Sequence, residues 1–329
     1  MKSATRYIGL VVVLLLGLVS VSSLYAQEPA TSRATLERTA LDTWQSFVAM
    51  TYSDTGLTAD NLTWNDGGEE QLSGYTSPTN IGSYMWSAIV ARDLNVISSA
   101  EATERISQTL ATVAGLERSE MGGMFYNWYD PETGEKLTTW PVDGGTVYPF
   151  LSSVDNGWLA TALMVVRAAV PELADEANAI LDDMNFACYY DPAAGLIRGG
   201  FWDTDPPPGG WPVDNYCGEG EDVYYTGHHY GTLNTEPRIA SYISLAGVGG
   251  SDTISPTHYY KMWRTLPATC DWNWHEMRPE GEVVSYTVGT EVVPVFEGTY
   301  EYRGIDIVPS WGGSMFEALM VPLFVPEED

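Results

Sequence analysis

The stretch LSSVDNGWLATAL, residues 151–163, decides how the rest of the chain is read. Ser152 stands three residues ahead of Asp155, the spacing of a capping box, so a helix opens here and runs over 154–170. An acid in that place has two readings. It can cap the helix, or, beside Asn156 and Trp158, it can face a ligand.

Working outward, the same loop-then-helix pattern repeats. Residues 34–50 are amphipathic, with Leu36, Leu41, Trp44, Phe47 and Val48 near helical spacing. Ser77-Pro78 starts a second helix, and Ser98 with Glu101 starts a third that runs to about residue 117. Further helices are expected over 172–187, 236–247, 256–266 and 313–324. Between them lie long loops rich in Gly, Pro and aromatics, above all residues 199–225, and loops of that length inside a compact domain are usually functional. Residues 282–296 carry a weak strand signal. Helices in antiparallel pairs with elaborated loops at one end predict an all-α fold, an α/α toroid of about eight helices.

Lys2 and Arg6, the apolar run from Ile8 to Val19 and the small residues ending at Ala26 read as a secretory signal peptide. The expected domains are therefore a signal over 1–26, a helix and polar loop over 27–73, and the toroid over 74–329. The product is expected to be secreted or periplasmic, and not held in a membrane after cleavage. Without Lys2 and Arg6, 13 cationic residues face 44 acids, a net charge of −31. Such a chain repels phosphate backbones and anionic lipid, which excludes nucleic acid and favours a neutral ligand. Three cysteines, Cys188, Cys217 and Cys270, allow one disulfide at most, and spacing does not say which.

Four junctions besides 151–163 hold the remaining chemistry: residues 74–86, 122–134, 228–242 and 308–320. Each sets aromatics beside Asn, Asp or Glu, a mix that suits sugars, whose C–H faces stack on rings while their hydroxyls need fixed donors and acceptors. Glu236 is the candidate acid, read as the first residue of a helix that Thr235 caps, with Arg238 close enough to hold it. Its acid character and a plain helix-capping role both stand open. Glu317, three residues after Ser314, reads as a capping-box acid, and Asp130 as a turn former. The acidic loop from Asp203 to Asp222 lacks the spacing of an EF-hand, and His228, His229, His258 and His275 lack zinc spacing. No metal or cofactor is expected. Nucleophile-elbow, dinucleotide and P-loop motifs do not occur.

Taken in order, SPTNIG, FYNWYD, SSVDNGWLA, HYGTLNTEPRIASY and VPSWGGSMFEALM resemble the bacterial glycoamylase-like domain family, which includes endo-β-1,2-glucanases and domains of cyclic β-1,2-glucan synthases. The resemblance covers roughly residues 35–325. It implies an (α/α)6 barrel and cofactor-free cleavage of a β-linked glucan. It implies Glu236 as catalytic acid and Asp155 as the second carboxylate. Asn80, Tyr126, Asn127, Trp128, Asn156, Trp158, His229, Tyr230, Asn234, Arg238 and Trp311 then line the substrate, a neutral glucan oligo- or polysaccharide. The family continues past the WGGSMFEALM motif with more helices, whereas eight are read here. The expectation is thus an incomplete ring, closed by a second chain, or a non-catalytic glycan-binding remnant as the alternative to a hydrolase.

Overall fold

The computed structural model describes residues 32–65, 67–218, 220–250, 252–264, 279–310 and 312–327. The expected signal peptide, Cys270, His275 and Trp311 lie outside these residues. The chain divides into two compact units, Met1–Thr43 and Trp44–Asp329. The described part of the first is an exposed helical stretch in which Arg33 pairs with Glu37 one turn on, at 2.6 Å. All that follows concerns the second.

Among the described residues there are eight α-helices: α1 (Arg33–Met50), α2 (Pro78–Asp93), α3 (Ser99–Gly115), α4 (Ser153–Ala169), α5 (Ala174–Leu181), α6 (Arg238–Ala246), α7 (Thr257–Lys261) and α8 (Met315–Leu319). Ser77, Ser98, Ser152 and Ser314 each accept from the backbone N–H three residues on, so four helices begin where capping chemistry predicts. Helix α4 is the centre. It is buried nearly all round, from Asn156 through Leu163, and packs against α2, α5 and α6. A helix apolar on every face must be enclosed, which is why its neighbours surround it.

Two glycines set how closely the neighbours approach. A Cβ on Gly82 of α2 would lie 3.0 Å from the Trp158 carbonyl and 3.2 Å from Ala162. A Cβ on Gly157 would lie 3.0 Å from Ile239 of α6.

The all-α expectation is corrected by four small antiparallel sheets. Strands β1 (Leu62–Trp64) and β2 (Glu70–Leu72) pair, as do β4 (Tyr190–Asp191) and β5 (Leu196–Ile197). Strands β3 (Leu151–Ser152), β6 (Gly200–Trp202), β7 (Val213–Asp214) and β8 (Val223–Tyr225) form a sheet in the order β3-β6-β8-β7. The long loop over 199–225 therefore holds three short strands, of which β6 pairs with β3 at the start of α4. Strands of two or three residues are too short to show an alternating pattern, so the sequence hid them. Gly200 is required there, because a Cβ would strike the Leu151 carbonyl and the Phe150 ring. The weak strand signal is a long hairpin, β9 (Glu280–Val288) with β10 (Glu291–Tyr302), extended by β11 (Ile305–Ile307). Gly289 turns it at φ 61°, the left-handed conformation that tight hairpins need. Val293 and Val295 face inward while Val292, Pro294 and Phe296 face out.

Cys188 and Cys217 are disulfide-bonded, 29 residues apart in sequence. The bond anchors the turn after β7 to the core, since Cys188 is fully buried.

Gly82→Ala should destabilise the protein by about 1–3 kcal/mol through overpacking against α4, although alanine is the better helix former by about 1 kcal/mol. Urea unfolding of the two proteins tests this, and a stabilised variant would show that α2 and α4 can move apart freely.

Candidate active site

Glu236 does not open a helix. Helix α6 starts at Arg238, and no side chain caps it. Residues 235–240 wind in tightly through i→i−3 bonds, Arg238 N to Thr235 O at 3.2 Å and Ile239 N to Glu236 O at 3.2 Å. The carboxylate is held from across the core instead: the Trp158 indole Nε1–H donates to Glu236 Oε1 at 2.6 Å. Trp158 is fully buried and wedged between Trp86 and Phe324, with ring centroids at 5.9 and 5.7 Å. Its donor has no freedom to leave.

Burial pushes the Glu236 carboxyl up to about 7, against the Trp158 bond that favours the charged form, and the charges of Asp155 and Glu317 push the same way. Asp155 lies on α4 one turn before Trp158. Its backbone N–H is bound to Ser152 Oγ at 3.2 Å, and its Oδ1 accepts from Thr79 Oγ1 at 2.7 Å. Cap and site coincide in this residue. Burial raises its pKa, Ser152 and Thr79 pull it down, and the charge of Asp60 adds to the rise. The Tyr230 hydroxyl is pushed up to about 12, first by burial and then by both Asp155 and Glu236. Asp155, Tyr230 and Glu236 thus form one electrostatic cluster, built from α4 and the 228–242 segment.

The other expected residues divide. Asn80 binds Asp60 Oδ1 at 2.9 Å, and Trp128 stands edge-on to Tyr75 and Trp140 at 5.4 Å from each, all three rings half-buried. Asn127 is held through its N–H to the Phe150 carbonyl at 2.7 Å. Tyr126 is nearly enclosed, with its hydroxyl on Asp203 at 2.8 Å and Lys136 Nζ over its ring at 4.1 Å.

Asn156, Trp158 and Arg238 are corrected. Asn156 is fully buried and clamps the 122–134 loop to α4, accepting from Phe125 N at 2.8 Å and donating to the Phe125 and Ser152 carbonyls at 2.9 Å. Trp158 serves Glu236 and offers no face to a ligand. Arg238 turns away from Glu236: its guanidinium grips Glu327 with two bonds, 2.6 and 2.8 Å, and donates to the carbonyls of Thr235, Glu317 and Ala318. His229 binds Asp191 at 2.9 Å, in a cluster completed by Arg198 on the same carboxylate at 2.7 Å. Asn234 donates to the Val308 carbonyl at 2.7 Å and lines a cavity of about 430 Å³ with Arg238, Tyr242 and Glu327, which Asp155 and Glu236 do not border.

Sequence reasoning missed Asp60, Thr79, Tyr75 and Trp140. Tyr75 and Thr79 lie in the 74–86 junction without having been singled out there, and each of the four matters through a neighbour distant in sequence. Among the described residues no group of three His, Cys, Asp or Glu could hold a metal ion. No described helix is long and apolar enough to cross a membrane.

Residues 38–191 match the family model DUF3131, described as a protein of unknown function. Over 145 residues the chain is 31% identical to the cyclic β-(1,2)-glucan synthase NdvB of Rhizobium meliloti, covering 44% of this chain and 5% of that protein. The endo-β-1,2-glucanase of Talaromyces funiculosus, solved with sophorose, superposes with a TM-score of 0.58 at 15% identity, over 92% of this chain and 58% of that one. The endo-β-1,2-glucanase of Chitinophaga pinensis, solved with sophorotriose and glucose, superposes at 0.51 with 16% identity, over 71% and 51%. At these identities the structural likeness is one of fold. The glycoamylase-like resemblance read from the five motifs is borne out, and the chain spans little more than half of the two solved enzymes.

The Arg238–Glu327 pair makes a stability prediction. Burial alone would raise the Glu327 carboxyl, but Arg238 and the Tyr242 hydroxyl hold it below its ordinary 4.5. A depressed carboxyl stabilises the fold above its ordinary pKa and loses that contribution as pH falls through the lowered value. Glu327→Ala should cost about 3 kcal/mol at pH 7 by stranding a buried guanidinium, and the deficit should shrink as the pH drops toward 3. Chemical denaturation at both pH values checks it, and a pH-independent deficit would contradict it.

Proposed function

We propose, from its kinship with the glycoamylase-like family, that this chain is an exported glycoside hydrolase acting on a β-linked glucan. The observation that carries the reading is the Glu236 carboxyl, raised to about 7, bound by Trp158 and set beside Asp155. Glycoside hydrolysis needs a proton donor for the leaving oxygen and a second carboxylate for the other face of the sugar. Glu236 holds its proton near neutrality and gives it to the glycosidic oxygen as the C–O bond breaks. Asp155, whose carboxyl burial raises overall against hydrogen bonds from Thr79 and its own helix start that favour the charged form, is the one to take a proton from the attacking water, or to orient the residue that does. Tyr230, beside both, is placed to position the sugar between them.

The net charge, −29 over the full sequence, supports a neutral substrate, and the two superposed enzymes, solved with sophorose and with sophorotriose and glucose, point to the β-1,2 linkage as the first to try. The signal-like opening sequence and the Cys188–Cys217 bond support export, because disulfides persist in oxidising compartments.

Incubation with linear β-1,2-glucan, other β-glucans and starch tests the reading. Oligosaccharides should appear from one of the β-glucans, and Glu236→Gln should lower turnover at least about 100-fold. Full turnover in that variant would remove Glu236 as the acid. Because an acid must be protonated to act, the rate should fall as pH rises past about 7. Trp158→Phe, which deletes the bond favouring the charged form, should move that limb to higher pH, and a limb that stays put would mean another group sets it.

A further inference from the structure

The three half-buried rings at the loop end of the molecule have no part in the core. Trp158, Tyr84, Tyr129 and Tyr189 are fully enclosed in the core. Tyr75, Trp128 and Trp140 instead each keep part of a ring in water. They are built to stay so. Tyr75 and Trp140 lie at 4.4 Å with planes 34° apart, and Trp128 stands edge-on to both, at 88° and 77°. Trp140 sits on a small hairpin closed by its own N–H to the Gly145 carbonyl at 2.6 Å and by the Thr139–Thr146 bridge. Gly74, with Pro141 packed where its Cβ would be, brings the Tyr75 strand against that hairpin.

Polar groups border the rings in a continuous line. Asn61 Nδ2 donates to the Tyr75 hydroxyl and to Asp60 Oδ2, both at 3.0 Å, and Asn80 Nδ2 donates to Asp60 Oδ1 at 2.9 Å. Asp60 is exposed and keeps acceptor capacity beyond those two bonds. Asn80 follows Thr79, whose hydroxyl holds Asp155. The line therefore runs from the candidate catalytic carboxylate to the rings without a break.

We propose that Tyr75, Trp128 and Trp140, with Asp60, Asn61 and Asn80 along their edge, form an outlying subsite that stacks a glucose unit of a longer glucan chain. This rests on the glucan reading above and adds to it a requirement for chain length. The rings take the apolar C–H face of the sugar, and the amides and carboxylate take its hydroxyls. A neutral sugar suits the place, since Asp60 would repel an acidic one.

Calorimetry with β-1,2-linked glucose oligosaccharides of increasing length, on full-length protein carrying Glu236→Gln so that nothing is cut, tests it. Trp140→Ala should weaken binding of the longer oligosaccharides about tenfold, roughly one stacked ring, and change disaccharide binding less than about twofold. Trp140→Phe, which keeps a face, should stay within about threefold of the parent. Equal affinities at every length in Trp140→Ala, or a folded parent that binds no oligosaccharide, overturns the subsite. Length-dependent loss on Trp140→Ala in a chain that hydrolyses nothing removes the hydrolase reading and leaves the subsite standing. Hydrolysis with no effect of Trp140 does the reverse.

Discussion

The hydrogen bond from the Trp158 indole to Glu236 joins the central helix to the turn that precedes α6. Trp158 belongs to α4, the helix every neighbour packs against, and Glu236 belongs to the turn that leads into α6. A half-buried carboxylate next to a second acid is costly to ionise, and a single rigid donor sets how costly. The indole can supply that donor because it is itself immobilised between Trp86 and Phe324. The raised carboxyl of Glu236 is thus a consequence of the packing behind it.

The same logic assigns the charges that do not react. Arg238 and Glu327 are two-point bonded and satisfied, and they tie α6 to α8 and the residues after it. Phe324, three residues before Glu327, is one of the two rings that brace Trp158. The clamp and the brace share a segment, so anchoring it by charge also holds the indole against the carboxylate. Asp191, Arg198 and His229 make a second paired cluster, next to Tyr230 in the chain.

Much of the helical frame was legible. Four Ser-initiated starts lie where capping predicts, and α4 was visible from its capping box and apolar run together. The sheets were not, because strands as short as β3 and β6 carry no period, and a fold read from periodicity defaults to helix. Asp155 and Glu236 were singled out by residue type and motif, and the alternative reading of Glu236 as the first residue of a helix is corrected, since that helix starts at Arg238. Arg238, Asn156 and Trp158 were read as ligand contacts because polar and aromatic residues in a motif look alike whether they face a sugar or a carbonyl.

The sequence alone determined which residue types gather at the loop ends, where the long helices start, and the negative charge that favours a neutral ligand, because these follow from local chemistry and composition. Only the tertiary structure decided which of those residues meet one another. The pKa of Glu236, the hold of Thr79 on Asp155, the turning away of Arg238 and the meeting of Tyr75 with Trp140 each join residues far apart in the chain. Burial and charge act through space, over a few ångströms, and no pattern along a single strand of letters records which distant neighbour will supply them.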